Sequence, residues 1–291
     1  MAKVAFLGTG LIGRAMAERA LEQGHEVSVY NRTASKSAPL AALGARVCAT
    51  PREAVRGAER VHLVLSDDAS VDQVLAAVGE GGEVGDTVLV DHTTTSPAGA
   101  RARAERRPNY LHAPIFMSPT NARAGLGLIL ASGRPALFSR VEAALQVMTG
   151  RVVWLGERPD LAASYKLFGN ATIIALTGAV ADVLTMGRAL GLEPHEAMGI
   201  YELFDASMTL KFRGQNMAKG NFTPGFELTM ARKDVRLMMD AADGLPLAVL
   251  PGIAARMDAL IEAGHGQADM GVLAVGAVEP AAAPSGDVKA R

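Results

Sequence analysis

Six residues near the start of the chain, Gly8-Thr9-Gly10-Leu11-Ile12-Gly13, have the spacing G-x-G-x-x-G. The apolar run Lys3 to Leu7 precedes them, and a helical pattern from Ile12 to Gln23 follows. In that setting the glycines permit a tight turn and let the backbone approach a pyrophosphate. The helix start supplies free N–H groups and a positive dipole end. Gly8, Thr9, Gly10, Leu11 and Ile12 are therefore candidate dinucleotide contacts. A turn that serves only close strand–helix packing is the bland alternative. The strand, helix and second strand in order weigh against it. The second strand, Glu26 to Tyr30, ends in Asn31-Arg32-Thr33. An NAD site usually carries Asp or Glu there for the ribose hydroxyls. Here no carboxylate repels a 2′-phosphate. Arg32 can hold that phosphate by charge and fork geometry, Asn31 and Thr33 can add hydrogen bonds, and Lys36 adds charge nearby. The pattern predicts NADP(H).

A second pair of reactive residues lies mid-chain. Lys166 and Asn170 are four apart, so they share one face of a helix. A desolvated Lys can give a proton to a carbonyl oxygen as hydride reaches the carbon, and Asn can donate to the same oxygen or to a substrate carboxylate. On spacing alone, a snorkelling lysine is an equal reading. Lys233 and Asp234 follow Arg232 and read from spacing as a solvated charged face. The six histidines are scattered, with no paired ligand spacing, so no metal site is expected. His92 and His112 fall at strand ends and read first as packing histidines. Cys48 has no partner and is expected to be inert.

The elements that must position these residues alternate in the first half of the chain. Strand signals at Lys3–Leu7, Glu26–Tyr30, Arg46–Cys48, Arg60–Leu65, Thr87–Asp91, Asn109–Ala113, Gly127–Ser132 and Arg151–Leu155 are separated by helical segments such as Ala34–Leu43 and Ser70–Val78. Thr50-Pro51 and Ser96-Pro97 look like helix starts. Alternating β and α elements predict a parallel, doubly wound α/β sheet of Rossmann type. Past Leu161 only helical patterns remain: 161–190, 193–204, 208–217, 226–242 and 247–263. The predicted organisation is a dinucleotide-binding Rossmann domain over 1–161, an all-helical domain over 162–278 that opens with a long interdomain helix, and a disordered tail over 279–291. A ligand is expected in the cleft between the domains.

Composition sets the outer limits. The 291 residues carry 29 Lys plus Arg against 30 Asp plus Glu, a net charge of −1. No global field draws the chain to nucleic acid or an anionic membrane. Aromatics are 4%, too few for base-stacking platforms. The single cysteine excludes an intrachain disulfide framework and fits a reducing cytoplasm. The stretch Tyr165 to Leu192 is apolar enough to raise a membrane span, but Lys166, Asn170, Asp182 and Arg188 interrupt it. A long helix buried in protein is the expectation, and no membrane.

Together these motifs resemble the β-hydroxyacid dehydrogenases, the group that includes 3-hydroxyisobutyrate dehydrogenase and the glyoxylate/succinic semialdehyde reductases. The resemblance runs from Val4 to about Ala274. Gly8 to Gly13 matches the family's dinucleotide signature. Leu65-Ser66-Asp67 stands where the family has a loop beside the cofactor. Asp91-His92-Thr93-Thr94-Thr95-Ser96-Pro97 resembles the D-x-S-T-x-x-P segment, whose central residue, Thr94 here, is implied to face the nicotinamide and substrate. Tyr165 to Asn170 resembles the catalytic K-x-x-x-N signature, with Lys166 as general acid/base and Asn170 beside it. Lys233-Asp234 resembles the K-D signature whose Lys contacts the cofactor, and Phe226 is implied to pack on the nicotinamide. One segment departs. The family reads A-P-V-S-G-G, an anion cradle for a substrate carboxylate. This chain reads Ala113-Pro114-Ile115-Phe116-Met117-Ser118, followed by Pro119, which lacks a donor. Phe116, Met117 and Ser118 are thus candidate substrate contacts of a different kind, suited to a larger or less polar carbonyl. The alternative is that Phe116 and Met117 fill core space.

The resemblance implies an NADPH-dependent oxidoreductase that reduces a small semialdehyde, 3-oxo acid or aldehyde to the alcohol. An imine reductase shares this architecture but usually has Asp or Tyr at the Lys166 position. A non-catalytic NADPH-binding sensor module is the reading from another class, and Lys166 together with Asn170 argues against it. The implied partners are a small carbonyl or imine substrate and further copies of the chain, as a homodimer or homotetramer through the helical domain. No nucleic acid is expected as a partner.

Overall fold

The computed structural model describes residues 1–79 and 84–278. The expected disordered tail lies outside the described residues. The chain divides into two compact units, Met1–Ala171 and Thr172 onward.

The first unit holds a six-stranded parallel sheet: β1 (Lys3–Leu7), β2 (Glu26–Tyr30), β3 (Arg46–Val47), β4 (Arg60–Leu63), β5 (Val88–Asp91) and β6 (Tyr110–His112), in the order β3-β2-β1-β4-β5-β6. The order reverses between β1 and β4, the switch point where such sheets bind ligands at their carboxyl ends. The central strands are covered on both faces, which explains their near-continuous apolar runs. Val4, Phe6, Val29, Val88 and Val90 face one core, and Ala5, Leu7, Val61, Leu63 and Leu89 the other. Three further strands form a separate sheet, β7 (Ile115–Phe116), β8 (Leu128–Ala131) and β9 (Val152–Trp154), with β7 antiparallel to β8. The last two strand candidates of the first half thus lie in this smaller sheet beside the six-stranded parallel one. The break falls at Pro114, which has no N–H to continue a ladder. Its carbonyl accepts from Leu130 instead. The two-residue strand β7 is too short to register as alternation.

The predicted helix over 34–43 is also broken. A 3₁₀ turn, Ala34–Lys36, and a short helix, Ala38–Ala41, flank Ser37. Ser37 is buried, and its hydroxyl lies 3.1 Å from that of Thr9. The cap at Thr50 is present: its hydroxyl accepts from the Glu53 N–H.

The long helix, Leu161–Ala189, starts inside the first unit. Ala162 and Ala163 are fully buried, and the Ala162 N–H donates to the Ser132 hydroxyl at 2.9 Å. These contacts keep the first turns with the sheet, and the first compact unit extends to Ala171.

The second unit is helical. Leu228–Ala241 packs on Leu250–Leu260 through Leu228, Ala231, Val235, Ala254, Met257 and Leu260. Asp182, on the long helix and 2% exposed, accepts from the N–H groups of Ala248, Val249 and Leu250 and so caps the Leu250–Leu260 helix. The predicted segment 193–204 splits into Pro194–Met198 and Ile200–Leu203. Segment 208–217 becomes a π-turn, Thr209–Arg213, and a short helix, Gly214–Ala218. Residues 270–278 add a 3₁₀ turn and one more helical turn that the sequence pattern did not suggest.

The expectation of a buried long helix is not met within the chain. Leu161–Ala189 is long and apolar enough to cross a membrane by length and composition, and very little of its most apolar stretch is buried. Ile173, Ile174 and Leu176 are all exposed, Ile174 at 70%.

Candidate active site

The three glycines of the dinucleotide turn have three different reasons to be glycine. Gly8 has φ +105°, and a Cβ there would run into the Val64 carbonyl and the Leu65 side chain. A Cβ on Gly13 would strike the Gly8 carbonyl, so this glycine lets helix and turn approach. Gly10 has nothing within 4 Å of its Cβ position and leaves the turn open toward solvent. The helix Leu11–Glu22 begins at Gly10 with no side-chain cap. Its first N–H groups are left for an anion.

Asn31 Oδ1 accepts from the Thr9 N–H at 3.0 Å, and Asn31 Nδ2 donates to the Thr33 carbonyl at 3.0 Å. Asn31 and Thr9 therefore brace the turn against the end of β2. Arg32 is exposed beside them. Asp67 is held below the usual carboxylate range mainly by the Ser70 N–H and hydroxyl, with the Arg32 charge a smaller contribution.

The loops after β4 and β5 are tied to each other. The Leu65 N–H donates to the Thr93 hydroxyl, and the Thr93 N–H to Asp91. Asp68 accepts from the Ser96 N–H and from Arg103. Thr94 is exposed between the buried Thr93 and Thr95, and Ser66 is exposed with its hydroxyl 2.8 Å from that of Ser70. Beneath lies a chain of neutral rings. Arg60 Nε donates to His62 Nε2, so His62 must donate from Nδ1 to His92 Nε2 at 2.9 Å, and His92 from Nδ1 to the Ala113 carbonyl at 2.7 Å. Burial pushes His62 well below the usual imidazole range and His92 down to about 4. Both rings are structural, joining β4 and β5 to the start of the 113–118 segment.

Lys166 is 8% exposed. Its Nζ sits 3.7 Å from the centroid of the Phe116 ring. No carboxylate among the described residues lies within ion-pair distance of it, and burial lowers its pKa. The Phe116 ring presses on Gly169, where a Cβ would come within 2.9 Å of Cε1 and closer still to Cζ. Asn170 is half-buried one turn along. The neighbours of Phe116 point elsewhere. Met117 packs against the core of the first unit, and the Ser118 hydroxyl caps the helix Pro119–Ala124 by accepting from Asn121. The last two candidates belong to the second unit. The Phe226 N–H donates to Asp269, and Lys233 Nζ lies 2.8 Å from Asp234 in a partly exposed pair.

Sequence reasoning missed three residues that shape this region. Ser37 braces Thr9, Asp68 holds the Ser96 backbone, and Gly169 admits the Phe116 ring. Only Gly169 carried a signal: a glycine inside a long helix often marks a close approach. Among the described residues no cluster of His, Cys, Asp or Glu could hold a metal ion.

Comparison with known proteins agrees with this architecture. Residues 3–156 match the family described as the NAD binding domain of 6-phosphogluconate dehydrogenase. Residues 162–275 match the NAD-binding family of NADP-dependent 3-hydroxyisobutyrate dehydrogenase. Glyoxylate/succinic semialdehyde reductase 1 of Arabidopsis thaliana is 30% identical over 83% of this chain and 86% of its own length. A reductive aminase from Aspergillus terreus, solved with NADPH4, cyclohexanone and allyl amine, has TM-score 0.84 at 26% identity, covering 94% of this chain and 98% of that one. An imine reductase from Streptomyces aurantiacus has TM-score 0.86 at 25% identity, covering 96% and 100%. The chain belongs to the β-hydroxyacid dehydrogenase family of NAD(P)-dependent oxidoreductases.

Proposed function

We propose that this oxidoreductase uses NADPH to reduce a small, weakly polar carbonyl compound to its alcohol, with Lys166 as the proton donor. The observation that carries the reading is Lys166 itself: a buried lysine with no carboxylate partner among the described residues, in the same unit as the dinucleotide turn. An unpaired buried cation is costly, and such groups cluster at functional sites.

The residues present fit the cofactor. The uncapped helix start and the open side of Gly10 suit a pyrophosphate, and exposed Arg32, with no acid at the end of β2, suits a 2′-phosphate. When bound, the cofactor supplies hydride. Lys166 gives its proton to the oxygen that becomes the alkoxide, and burial brings its acidity nearer to neutral pH. Asn170 is proposed to donate to the same oxygen. Thr94, Leu65 and Ser66 are proposed to border the cofactor, and Phe226 and Lys233 are proposed as cofactor contacts from the family signature they resemble. Phe116 replaces the small polar residue of a carboxylate cradle, which favours a neutral carbonyl over a hydroxyacid. The similarity to reductive aminases and imine reductases supports a second reading, in which activated imines are also reduced.

The exposed face of the long helix is proposed to be covered by a second copy, giving a homodimer or homotetramer in the cytoplasm. The function is tested by following NADPH oxidation with aldehydes, semialdehydes, 3-oxo acids and cyclic imines. Turnover of neutral aldehydes ahead of the acids is expected. Tight NADPH binding with no turnover of any compound would overturn the reading in favour of a binding module.

A further inference from the structure

Phe116, Lys166 and Gly169 form a small contact group outside the hydrophobic core clusters. The ammonium faces the ring at 3.7 Å from its centroid, within the range of a cation–π contact. Gly169 lies one turn along the helix from Lys166, and the ring occupies the space its missing Cβ would fill. Met117 and Ser118, which follow Phe116 in the chain, are used for packing and capping. Only Phe116 turns to the lysine. Among the described residues no carboxylate lies within ion-pair distance of Lys166, and burial lowers its pKa.

We infer that Phe116 is a positioning residue: its ring face holds the Lys166 ammonium in place and governs its affinity for the proton, with Gly169 as the seat that lets the ring in. Two opposed effects meet at this contact. Burial favours the neutral amine, and the negative face of the ring favours the ammonium. A leucine at 116 keeps an apolar wall but has no quadrupole, so it removes the second effect and largely spares the first. Gly169→Ala reaches the same end from the other side. It leaves Lys166 and Phe116 unchanged, improves intrinsic helix propensity, and pushes the ring off its seat. A variant expected to firm the helix should therefore disturb the lysine.

The catalytic consequence rests on Lys166 being the proton donor, but the ionisation itself can be read without turnover. The chain has seven lysines. Limiting acetic anhydride applied to the full-length protein across a pH series, with peptide mapping by mass spectrometry, gives a titration midpoint for each. Lys166 in the wild type is expected to titrate below the ordinary lysine range. Phe116→Leu should lower the Lys166 midpoint by about 0.4 to 1.5 pH units, the span of a cation–π contact from exposed to desolvated. Gly169→Ala should move it the same way, and Phe116→Trp should hold it near wild type. Thermal unfolding checks that each variant is folded. The high-pH limb of the reductase rate should follow the labelling midpoint. A midpoint in Phe116→Leu that stays put or rises overturns the inference, as does Gly169→Ala leaving it unmoved. If the midpoint falls while the rate limb does not follow, the positioning role stands and Lys166 as proton donor falls.

Discussion

The two units satisfy their buried groups in opposite ways. The first unit closes on itself. Its strands are covered on both faces, and most of its buried polar side chains are bonded inside it: Arg103 to Asp68 and Asp72, Asp91 to Tyr110 and Thr93, His62 to His92. The second unit has a compact helical core but leaves apolar side chains outside it. Ile174 is 70% exposed and Leu203 86%, and Phe204, Leu210 and Phe212 are exposed as well. An α/β sheet buries both faces within one chain, whereas a long helix with an apolar stripe needs a neighbour to cover it. The contrast teaches where to look for chemistry: in a unit that pairs most of its buried polar groups, a buried lysine with no carboxylate partner among the described residues stands out.

Lys166 is that residue, and its removal has the largest expected effect. Lys166→Ala should lower kcat by about 10²- to 10⁴-fold with NADPH affinity nearly unchanged, because the proposed phosphate contacts are elsewhere. Stopped-flow turnover and a cofactor titration separate the two. A loss confined to KM would mean that Lys166 only anchors substrate.

The neutral histidine chain makes the pairing of the first unit sensitive to acid. His62 and His92 are depressed in the fold, so between about pH 6.5 and 4 the unfolded chain binds protons that the folded chain does not. The stability they support is complete above about pH 6.5 and is lost as pH falls through that window, by about 3 kcal/mol for His92 alone. Urea midpoints in this range should drop in the wild type and drop less in a His62→Phe/His92→Leu double variant. Equal slopes would show that the pair is not neutral in the fold.

Asp182 is the second unit's counterpart, a buried carboxylate bonded to three backbone N–H groups. Asp182→Ala strands those donors and should cost about 2 to 3 kcal/mol. Hydrogen exchange should show earlier opening of 248–260 and little change in the sheet. If the sheet opens equally, the two units do not unfold as separate bodies.

At the surface of the first unit, Arg32→Ala should weaken NADPH binding by roughly tenfold to a hundredfold, about 1.5 to 3 kcal/mol, and leave NADH binding nearly as it was. Equal wild-type affinity for the two cofactors would sink the assignment. The smallest effect belongs to the exposed helix. Ile174→Ala should weaken self-association by about 1 kcal/mol, read by sedimentation equilibrium, with little change in the intrinsic fold. A chain that stays monomeric at every concentration would remove the need for a covering copy and sharpen the contrast between the units.

Much of this was legible in the sequence for local reasons. A G-x-G-x-x-G between strand and helix specifies its own turn, because each glycine answers a steric demand within a few residues. Alternating elements and apolar runs specify a parallel sheet, because burial on both faces forces them. The missing acid after Tyr30 and the i, i+4 pair of Lys166 and Asn170 are likewise local facts. Tertiary structure decided the rest. That β7 leaves the parallel sheet, that Asn31 binds Thr9, that the 34–43 helix breaks at Ser37, and that Phe116 alone of its segment meets Lys166 all depend on residues far apart in the chain. The exposure of the long helix could not be read either, since hydrophobic composition says that a face will be covered and not by what. Local sterics and periodicity act over a few residues and leave a trace in the sequence, whereas packing and hydrogen-bond partners are chosen only when distant segments meet.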